Sequence, residues 1–247
     1  MRIDILTLFP EMFEPLKESI IKRAVEDGKI EINITNIRDY ALPPHYKCDD
    51  MPFGGGAGMV MMCEPLFKAI EAVKTENSKI FYMSPRGKVF NQGLARELST
   101  EQHLILICGH YEGIDQRVLD YFNIQELSIG DFVLTGGELP AMVVADAIIR
   151  LLPGVISADS TVEESFSQTE HETITKDKRG KKVKNTETLT LLEYNQYTRP
   201  ADFNGLKVPE VLLSGNHKKI AEFRHNQALE ITKQNRPDLL KNTNTKI

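Results

Sequence analysis

Two polar loops that contain glycine are the part of this sequence best suited to bind a small molecule. Residues 109–115 follow the apolar run 104–108, and residues 130–140 follow the run 126–129. Glycine has no side chain, so backbone N–H and C=O groups there can approach a ligand closely. In an open α/β sheet, ligands bind in the crevice beyond the carboxyl ends of the strands. The two loops therefore predict a small-molecule site, although either loop alone is equally typical of a simple turn.

Alternating strands and helices are predicted to carry these loops. The run 104–108 is apolar at every position, which is typical of a parallel strand buried on both faces. Apolar residues at helical spacing between Pro10 and Gly28 predict a helix that packs one face on the sheet. Further strands are predicted at residues 1–9, 30–34 and 79–83, a loop at 84–88, and a long helix at 138–152. The pattern predicts an α/β fold with a parallel sheet.

Several motifs in order along the chain resemble one family. CGHYEGIDQR at residues 108–117 and SIGDFVLTGGELPA at 128–141 are similar to motifs of the bacterial tRNA (guanine-N1)-methyltransferase family, TrmD, of the SPOUT class. DDMPFGGGAGM at residues 49–59 matches its DxPYGGGxGM signature, and YTRP at 197–200 matches the end of its PHYTRP segment. The resemblance covers almost the whole chain. It implies a SPOUT-type parallel sheet with a deep trefoil knot, followed by a small C-terminal helical domain; periodicity alone cannot predict a knot.

Three parts are predicted along the chain. Residues 1–156 form the methyltransferase domain, residues 157–193 a linker with a basic insertion, and residues 194–247 a helical tRNA-binding domain. The linker is predicted because apolar periodicity disappears and Ser, Thr, Glu and Lys dominate. From Asn216 onward, lysine and arginine outnumber acidic residues seven to three. The basic cluster of the linker consists of Lys176, Lys178, Arg179, Lys181, Lys182 and Lys184. Such clusters are compatible with phosphate contacts, although solvated surface charge is the commoner explanation.

S-adenosyl-L-methionine is the cofactor that the resemblance implies. Three loops are expected to hold it, mainly through backbone groups, because all three follow predicted strands at one end of the sheet. The predicted cofactor-binding residues are Tyr82, Met83, Ser84, Pro85, Gly109, Tyr111, Glu112, Ser128, Ile129, Gly130, Asp131, Phe132, Val133, Leu134, Gly136, Gly137 and Pro140. No cluster shows the spacing of metal ligands, so magnesium is implied by the resemblance only.

The reaction that the resemblance implies is methyl transfer to N1 of the guanine 3′ to the anticodon (position 37) in tRNA. N1 of neutral guanine carries a proton, and negative charge builds up on O6 as that proton leaves. The reaction therefore needs a base near N1–H and a donor or cation at O6. It also needs the methyl group held in line with N1. A carboxylate and an arginine are the minimum set.

The predicted catalytic residues are Glu164, Arg150 and Glu112. Arg150 lies in RLLPGV, which matches the family's RFxPGV segment. Glu164 stands where the family's EDSF segment has aspartate, and glutamate has a similar intrinsic basicity. Glu163 is the alternative base, and Glu112 matches the glutamate of the family's YEG motif. Without the resemblance, two glutamates in a polar stretch are best explained as solvated charges.

Composition limits the remaining function classes. The net charge of −5 does not indicate a nucleic-acid binder by itself. Cys48, Cys63 and Cys108 are far apart, which argues against a disulfide framework or a zinc site. Without a signal segment or a membrane span, a cytoplasmic location is predicted. The resemblance implies tRNA as partner and a homodimer whose active site lies at the subunit interface. The alternatives are another SPOUT enzyme, acting on a ribose 2′-hydroxyl or another base, and a non-catalytic RNA-binding module.

Overall fold

The computed structural model describes residues 1–176 and 182–241 and divides into two compact units, Met1–Ser157 and Ala158–Ile247. Strands and helices alternate through most of the first unit, as the sequence predicts. In chain order they are β1 (Arg2–Thr7), α1 (Ser19–Glu26), β2 (Glu31–Asn36), β3 (Asp49–Asp50), β4 (Val60–Met61), α2 (Cys63–Val73), β5 (Ser78–Val89), α3 (Gln92–Leu98), β6 (His103–Cys108), α4 (Gln116–Phe122), β7 (Gln125–Ser128) and α5 (Glu138–Ile149).

A five-stranded parallel sheet in the order β2-β1-β6-β5-β7 forms the centre of this unit. The middle strand, β6, is buried along its whole length. Its side chains alternate between two apolar clusters: Leu104 and Leu106 pack with α1, α3 and α5, whereas Ile105 and Ile107 pack with α2 and α4. Each fully buried side chain of this size contributes about 1.5–3 kcal/mol. The prediction of a strand buried on both faces is therefore confirmed.

Two predicted elements differ from those observed. The single helix predicted between Pro10 and Gly28 is instead a 3-10 helix, Pro10–Lys17, and α1, which are separated by the extended backbone of Glu18. The predicted loop at 84–88 is instead an irregular part of β5, whose pairing with β7 shifts between Met83 and Lys88. Gly87 permits this, since a Cβ there would lie 2.3 Å from the backbone of β7.

The second unit contains more regular structure than the sequence predicts. Its elements are β8 (Ser167–Lys176), β9 (Lys182–Leu191), β10 (Asp202–Phe203), β11 (Leu206–Lys207), α6 (Glu210–Leu213) and α7 (His217–Asn235). β8 and β9 pair as an antiparallel hairpin within the stretch 157–193, where the sequence predicts a linker. Leu189 and Leu191 of this hairpin pack with Ala228, so the stretch contains strand structure that its composition does not indicate, and the linker between two domains stays a prediction. Of the predicted basic cluster, Lys178, Arg179 and Lys181 lie outside the described residues.

Helix α7 begins where the sequence predicts. The side chain of Asn216 accepts a hydrogen bond from the backbone N–H of Lys219, which is an N-cap. Thr232 on the same helix is buried, and its hydroxyl accepts a hydrogen bond from the backbone N–H of Leu192, just after β9. In the part of the chain that the structure describes, no helix is long and apolar enough to cross a membrane.

Candidate active site

A cavity of about 530 Å³ lies at the carboxyl ends of β6 and β7, beside residues 82–86 in the second half of β5. Its walls come from three segments, residues 82–86, 109–116 and 127–140. Small-molecule sites in proteins typically have volumes of about 300–1,000 Å³. The cavity therefore lies where the glycine-containing loops predict a small-molecule site, and it is large enough for a nucleoside-sized ligand.

The predicted cofactor-binding residues meet in this cavity with one exception. Asp131 is exposed and is not part of the wall, whereas the other sixteen residues all line it. The wall also contains residues that the prediction did not include: Arg86, His110, Gly113, Ile114, Gln116, Leu127 and Thr135. These residues lie in the wall of the cavity. Which of the lining residues contact a cofactor stays a prediction.

Two glycines allow the chain to close around the cavity. A Cβ on Gly109 would lie 2.5 Å from the Tyr82 ring, and a Cβ on Gly137 would lie 2.6 Å from Cα of Cys108. Contacts this short do not occur in proteins, so neither position accepts a side chain without movement. The backbone N–H of Gly137 donates to the carbonyl of Gly109 at 3.0 Å. This bond joins the loop after β6 to the segment that leads into α5.

The glycine-rich segment before β4 packs on the loop after β6. The backbone N–H of Met61 donates to the carbonyl of Gly113, and the N–H of Glu112 donates to the carbonyl of Met59. A Cβ on Gly58 would lie 2.4 Å from the Glu112 carboxylate, so this glycine leaves room for that side chain. Glu112 is exposed at the cavity rim. That this segment folds over cofactor or RNA stays a prediction.

A largely buried polar network extends inward from His110 in the cavity wall, and no motif or periodicity in the sequence predicts it. Glu138, the first residue of α5, is 1% exposed and accepts a hydrogen bond from the Thr7 hydroxyl at 2.7 Å. Nε2 of His110 lies 2.8 Å from both Glu138 carboxylate oxygens. The available sequence signal was weak, because an acidic residue in the first turn of a helix is common for electrostatic reasons alone.

Two further ionisable side chains near this network are not suited to act as bases. Burial raises the pKa of the Tyr82 hydroxyl, with a smaller contribution from Glu126. Burial raises the pKa of the Cys108 thiol well above its usual value, and the charge of Glu138 adds to this rise. Both groups therefore stay protonated near neutral pH. Tyr82 contributes its ring to the cavity wall, whereas Cys108 packs in the apolar core.

The predicted catalytic residues fall in both compact units. Glu112 and Arg150 belong to the first, and Arg150 caps the C-terminal end of α5, where its backbone N–H donates to the carbonyl of Asp146. Glu163 and Glu164 belong to the second unit, in which both line a cavity of about 130 Å³. Their catalytic roles stay predictions.

The two adjacent glutamates differ in their surroundings. Glu163 is exposed; its carboxylate accepts a hydrogen bond from the Tyr194 hydroxyl at 2.9 Å and lies 3.9 Å from Arg224. Glu164 is half-buried, and its backbone carbonyl accepts a hydrogen bond from Ser167 at the start of β8. The hairpin that the sequence analysis missed therefore fixes the backbone at Glu164. Among residues 1–176 and 182–241, no group of His, Cys, Asp or Glu side chains could hold a metal ion.

Comparison with known proteins extends the resemblance to the whole chain. The sequence profile described as tRNA (Guanine-1)-methyltransferase TrmD matches residues 1–242. A tRNA (guanine-N(1)-)-methyltransferase of Moorella thermoacetica is 53% identical over 250 residues, covering 99% of this chain and 92% of that relative. A protein of the same name from Clostridioides difficile is 51% identical over 252 residues and is matched over the full length of both chains. The chain therefore belongs to the tRNA (guanine-1)-methyltransferase TrmD family.

Proposed function

We propose that this protein transfers a methyl group from S-adenosyl-L-methionine to N1 of the guanine 3′ to the anticodon in tRNA. The observation that carries this proposal is the identity of 51–54% to relatives named tRNA (guanine-N(1)-)-methyltransferase along nearly the whole chain. The parallel sheet and the cavity at its carboxyl edge agree with a small-molecule cofactor.

The cavity residues fit S-adenosyl-L-methionine in size and chemistry. The volume of about 530 Å³ suits a nucleoside with an amino-acid tail. Gly109 and Gly137 line the cavity with backbone that no side chain covers, and Met83 and Ile129 provide apolar wall surface. When bound, the cofactor supplies a methyl group on a positively charged sulfur, which an electron pair can attack.

Roles at the guanine follow from the proton that must leave N1. We assign Glu164 as the base that accepts this proton and Arg150 as the cation that stabilises charge on O6. Glu112, at the rim of the cofactor cavity, is assigned a contact to cofactor or guanine. Glu164 is preferred over Glu163 because it stands where the family's EDSF segment has aspartate.

The proposed assembly is a homodimer that binds tRNA, with each active site at the subunit interface. Exposed apolar side chains beside the cavity, Phe132, Val133 and Leu134, support a partner that covers this edge. We assign tRNA binding to residues 194–247 and the enzyme to the cytoplasm. The described residues offer no cluster that fits magnesium, so no residue is assigned to it and no step is routed through it.

The family's deep trefoil knot is part of the proposal. It is supported by the path of the chain, since β7 follows β6 in sequence yet pairs with β5. The chain then returns from β7 to the end of β6, where Gly137 bonds Gly109. The chain therefore passes across β5 between β7 and β6. This path is compatible with one loop passing through another, as a knot requires.

A methylation assay tests the proposed function. Full-length protein would be incubated with S-adenosyl-L-methionine and tRNAs that differ only at the target guanine and its 5′ neighbour. Methyl on N1 of that guanine is the expected product, mapped by nuclease digestion and mass spectrometry. Methyl on a ribose 2′-hydroxyl or another base would instead support another SPOUT activity. No product, with tRNA still bound, would support a non-catalytic RNA-binding module.

Substitutions at the two glutamates test the base. Glu164→Gln should retain binding of cofactor and tRNA but lose about 10²–10⁴-fold in turnover, the usual contribution of a positioned base. Glu164→Asp should also be slower than wild type, because misplacement by about 1 Å can cost roughly 10²-fold. Glu163→Gln is the matched control and should have little effect. If Glu163→Gln abolishes turnover and Glu164→Gln does not, the assignment is wrong by one residue.

A further inference from the structure

Thr7, His110 and Glu138 form a chain of hydrogen bonds that joins three elements behind the cavity. Thr7 is the last residue of β1, His110 lies in the loop after β6, and Glu138 opens α5. The Thr7 hydroxyl donates to Glu138 at 2.7 Å and accepts a hydrogen bond from the backbone N–H of Phe9 at 2.9 Å. His110 Nε2 lies 2.8 Å from both oxygens of the same carboxylate. Residues from distant parts of the sequence thus meet on one buried group.

The buried carboxylate has enough partners to be stable where it lies. Burying such a group without compensation is costly, so its oxygens need donors. Thr7 and His110 supply them, and the N-terminal turn of α5 adds a favourable electrostatic environment. Removing one partner leaves the others unsatisfied, which costs more than the loss of a surface hydrogen bond. The network is therefore a rigid connection.

The connection fixes the shape of the cavity wall. His110 lies between Gly109 and Tyr111, which both line the cavity. A Cβ on Gly136 would lie 2.5 Å from Cε1 of His110, so the imidazole rests directly on the segment before α5. The ring also packs on Phe9, with 4.8 Å between ring centroids. Movement of the imidazole would shift both glycine-containing walls.

We propose that His110 and Glu138 are positioning residues for the methyl donor: their hydrogen-bonded pair holds the loop after β6 and the segment before α5 at the separation that S-adenosyl-L-methionine requires. Thr7 sets the position of the carboxylate from the end of β1. This inference rests on the proposed function, because it takes the cavity to be the cofactor site. It assigns the pair to cofactor binding and leaves proton transfer to other residues.

The chain contains a matched control for this pair. His103, the first residue of β6, bonds the buried carboxylate of Asp4 through Nε2, at the opposite end of the same strand. Neither residue is part of the cavity wall. Loss of a buried histidine–carboxylate bond can therefore be compared at two places, only one of which borders the candidate site.

The experiment measures the Kd for S-adenosyl-L-methionine by calorimetry, KM and kcat with tRNA, and stability to urea. The full-length wild type is compared with His110→Ala, His110→Gln and the control His103→Gln. His110→Ala should raise Kd and KM for the cofactor about tenfold or more, as expected for loss of a hydrogen bond to a charged group. Its kcat at saturating cofactor should change less, by under about threefold. His110→Gln should recover most of the affinity, since an amide can still donate to Glu138.

The outcomes distinguish failure of this inference from failure of the proposed function. His103→Gln should lower stability yet leave Kd within about twofold of wild type. Equal weakening of cofactor binding by His103→Gln and His110→Ala would reduce the pair to a general structural role and overturn the inference, as would unchanged binding by His110→Ala. If His110→Ala does not fold, Thr7→Val, which removes only the hydroxyl donor, carries the same expectation with a smaller effect. Failure of the wild type to bind the cofactor would overturn the proposed cofactor itself.

Discussion

The two ends of strand β6 carry the same kind of residue pair in different settings. At the amino end, Asp4 holds Nε2 of His103, while Nδ1 lies 2.7 Å from the Ser78 hydroxyl and 3.3 Å from that of Thr75. Asp4 also forms an ion pair with Arg2, and its hydrogen bond raises the pKa of that guanidinium. Both ring nitrogens of this imidazole therefore have a protein partner, and His103 does not line the 530 Å³ cavity.

At the carboxyl end the pair is only partly enclosed. His110 uses Nε2 to bind Glu138, and in residues 1–176 and 182–241 no hydrogen-bond partner contacts its Nδ1. The imidazole borders the cavity beside Gly109 and Gly136, whose missing side chains leave room for the Tyr82 ring and for the imidazole itself. A buried histidine–carboxylate pair is thus structural where the chain fills the space around it. It becomes part of a candidate site where the imidazole itself lines a cavity, as His110 does.

Truncation after Ser157 should have the largest effect on methyl transfer while leaving both histidine–carboxylate pairs in place. Both pairs and both apolar clusters of the sheet lie within residues 1–157. The truncated protein should fold and bind S-adenosyl-L-methionine with a Kd close to that of the full chain. Methyl transfer should be undetectable, because Glu164 and the proposed tRNA-binding residues are removed. Cofactor titration by calorimetry and the tRNA assay measure the two properties; loss of cofactor binding would show that the cavity depends on residues beyond 157.

Gly109→Val should give the next largest effect, confined to the carboxyl end. The added side chain would push the Tyr82 ring away from its position in the cavity wall. Overpacking of this kind costs about 1–3 kcal/mol. Subtracted from the free energy of cofactor binding, this cost raises the Kd roughly 5- to 150-fold. Gly28→Ala is the control, because Gly28 lies between α1 and β2, near the amino end of β2. At a φ of +68° it should cost stability of about 1 kcal/mol and leave Kd unchanged. Wild-type affinity in Gly109→Val would place the cofactor elsewhere.

The sheet and the position of the cavity were predictable from local sequence. The apolar run 104–108 identifies β6 because every residue on a strand covered on both faces must be apolar. Glycines directly after the strands indicate where the chain turns close to a ligand. Family motifs then add the individual residues of the cavity wall. Local signals therefore suffice where a residue's environment depends on its neighbours in sequence.

The polar pairs and the hairpin β8–β9 depend on partners far along the chain. Asp4 meets His103 across 99 positions, and Thr7 meets Glu138 across 131 positions. No periodicity in either segment indicates such a meeting. The hairpin is polar on most positions and is held by strand pairing and by two leucines that pack on α7. A composition rich in Ser, Thr, Glu and Lys is equally typical of an unstructured linker.

Asp4→Asn should separate stability from function at the amino end. The carboxylate is fully buried and contacts both His103 and Arg2, so removing its charge should lower the free energy of unfolding by about 3 kcal/mol. The Kd for S-adenosyl-L-methionine should stay within about twofold, since mutations far apart act independently. Urea denaturation and calorimetry provide the two measurements. A parallel loss of cofactor affinity would mean that the two ends are coupled through β6, and the contrast between them would fail.

The smallest effects are expected from two partly exposed ion pairs of β5. Lys79, near its amino end, lies 2.6 Å from Glu101, and Arg86, in its irregular part beside the cavity, lies 2.9 Å from Glu126. Exposed pairs of this kind contribute about 0–1 kcal/mol, so Lys79→Gln and Arg86→Gln should each change the unfolding free energy by less than that. Arg86 also lines the cavity, but Glu126 holds its guanidinium from outside and most of the side chain is exposed. Its substitution should therefore change the Kd for S-adenosyl-L-methionine by less than about threefold, or under 1 kcal/mol. A tenfold loss of affinity in Arg86→Gln alone would show that charge in the irregular part of β5, in addition to the cavity, distinguishes the two ends of the sheet.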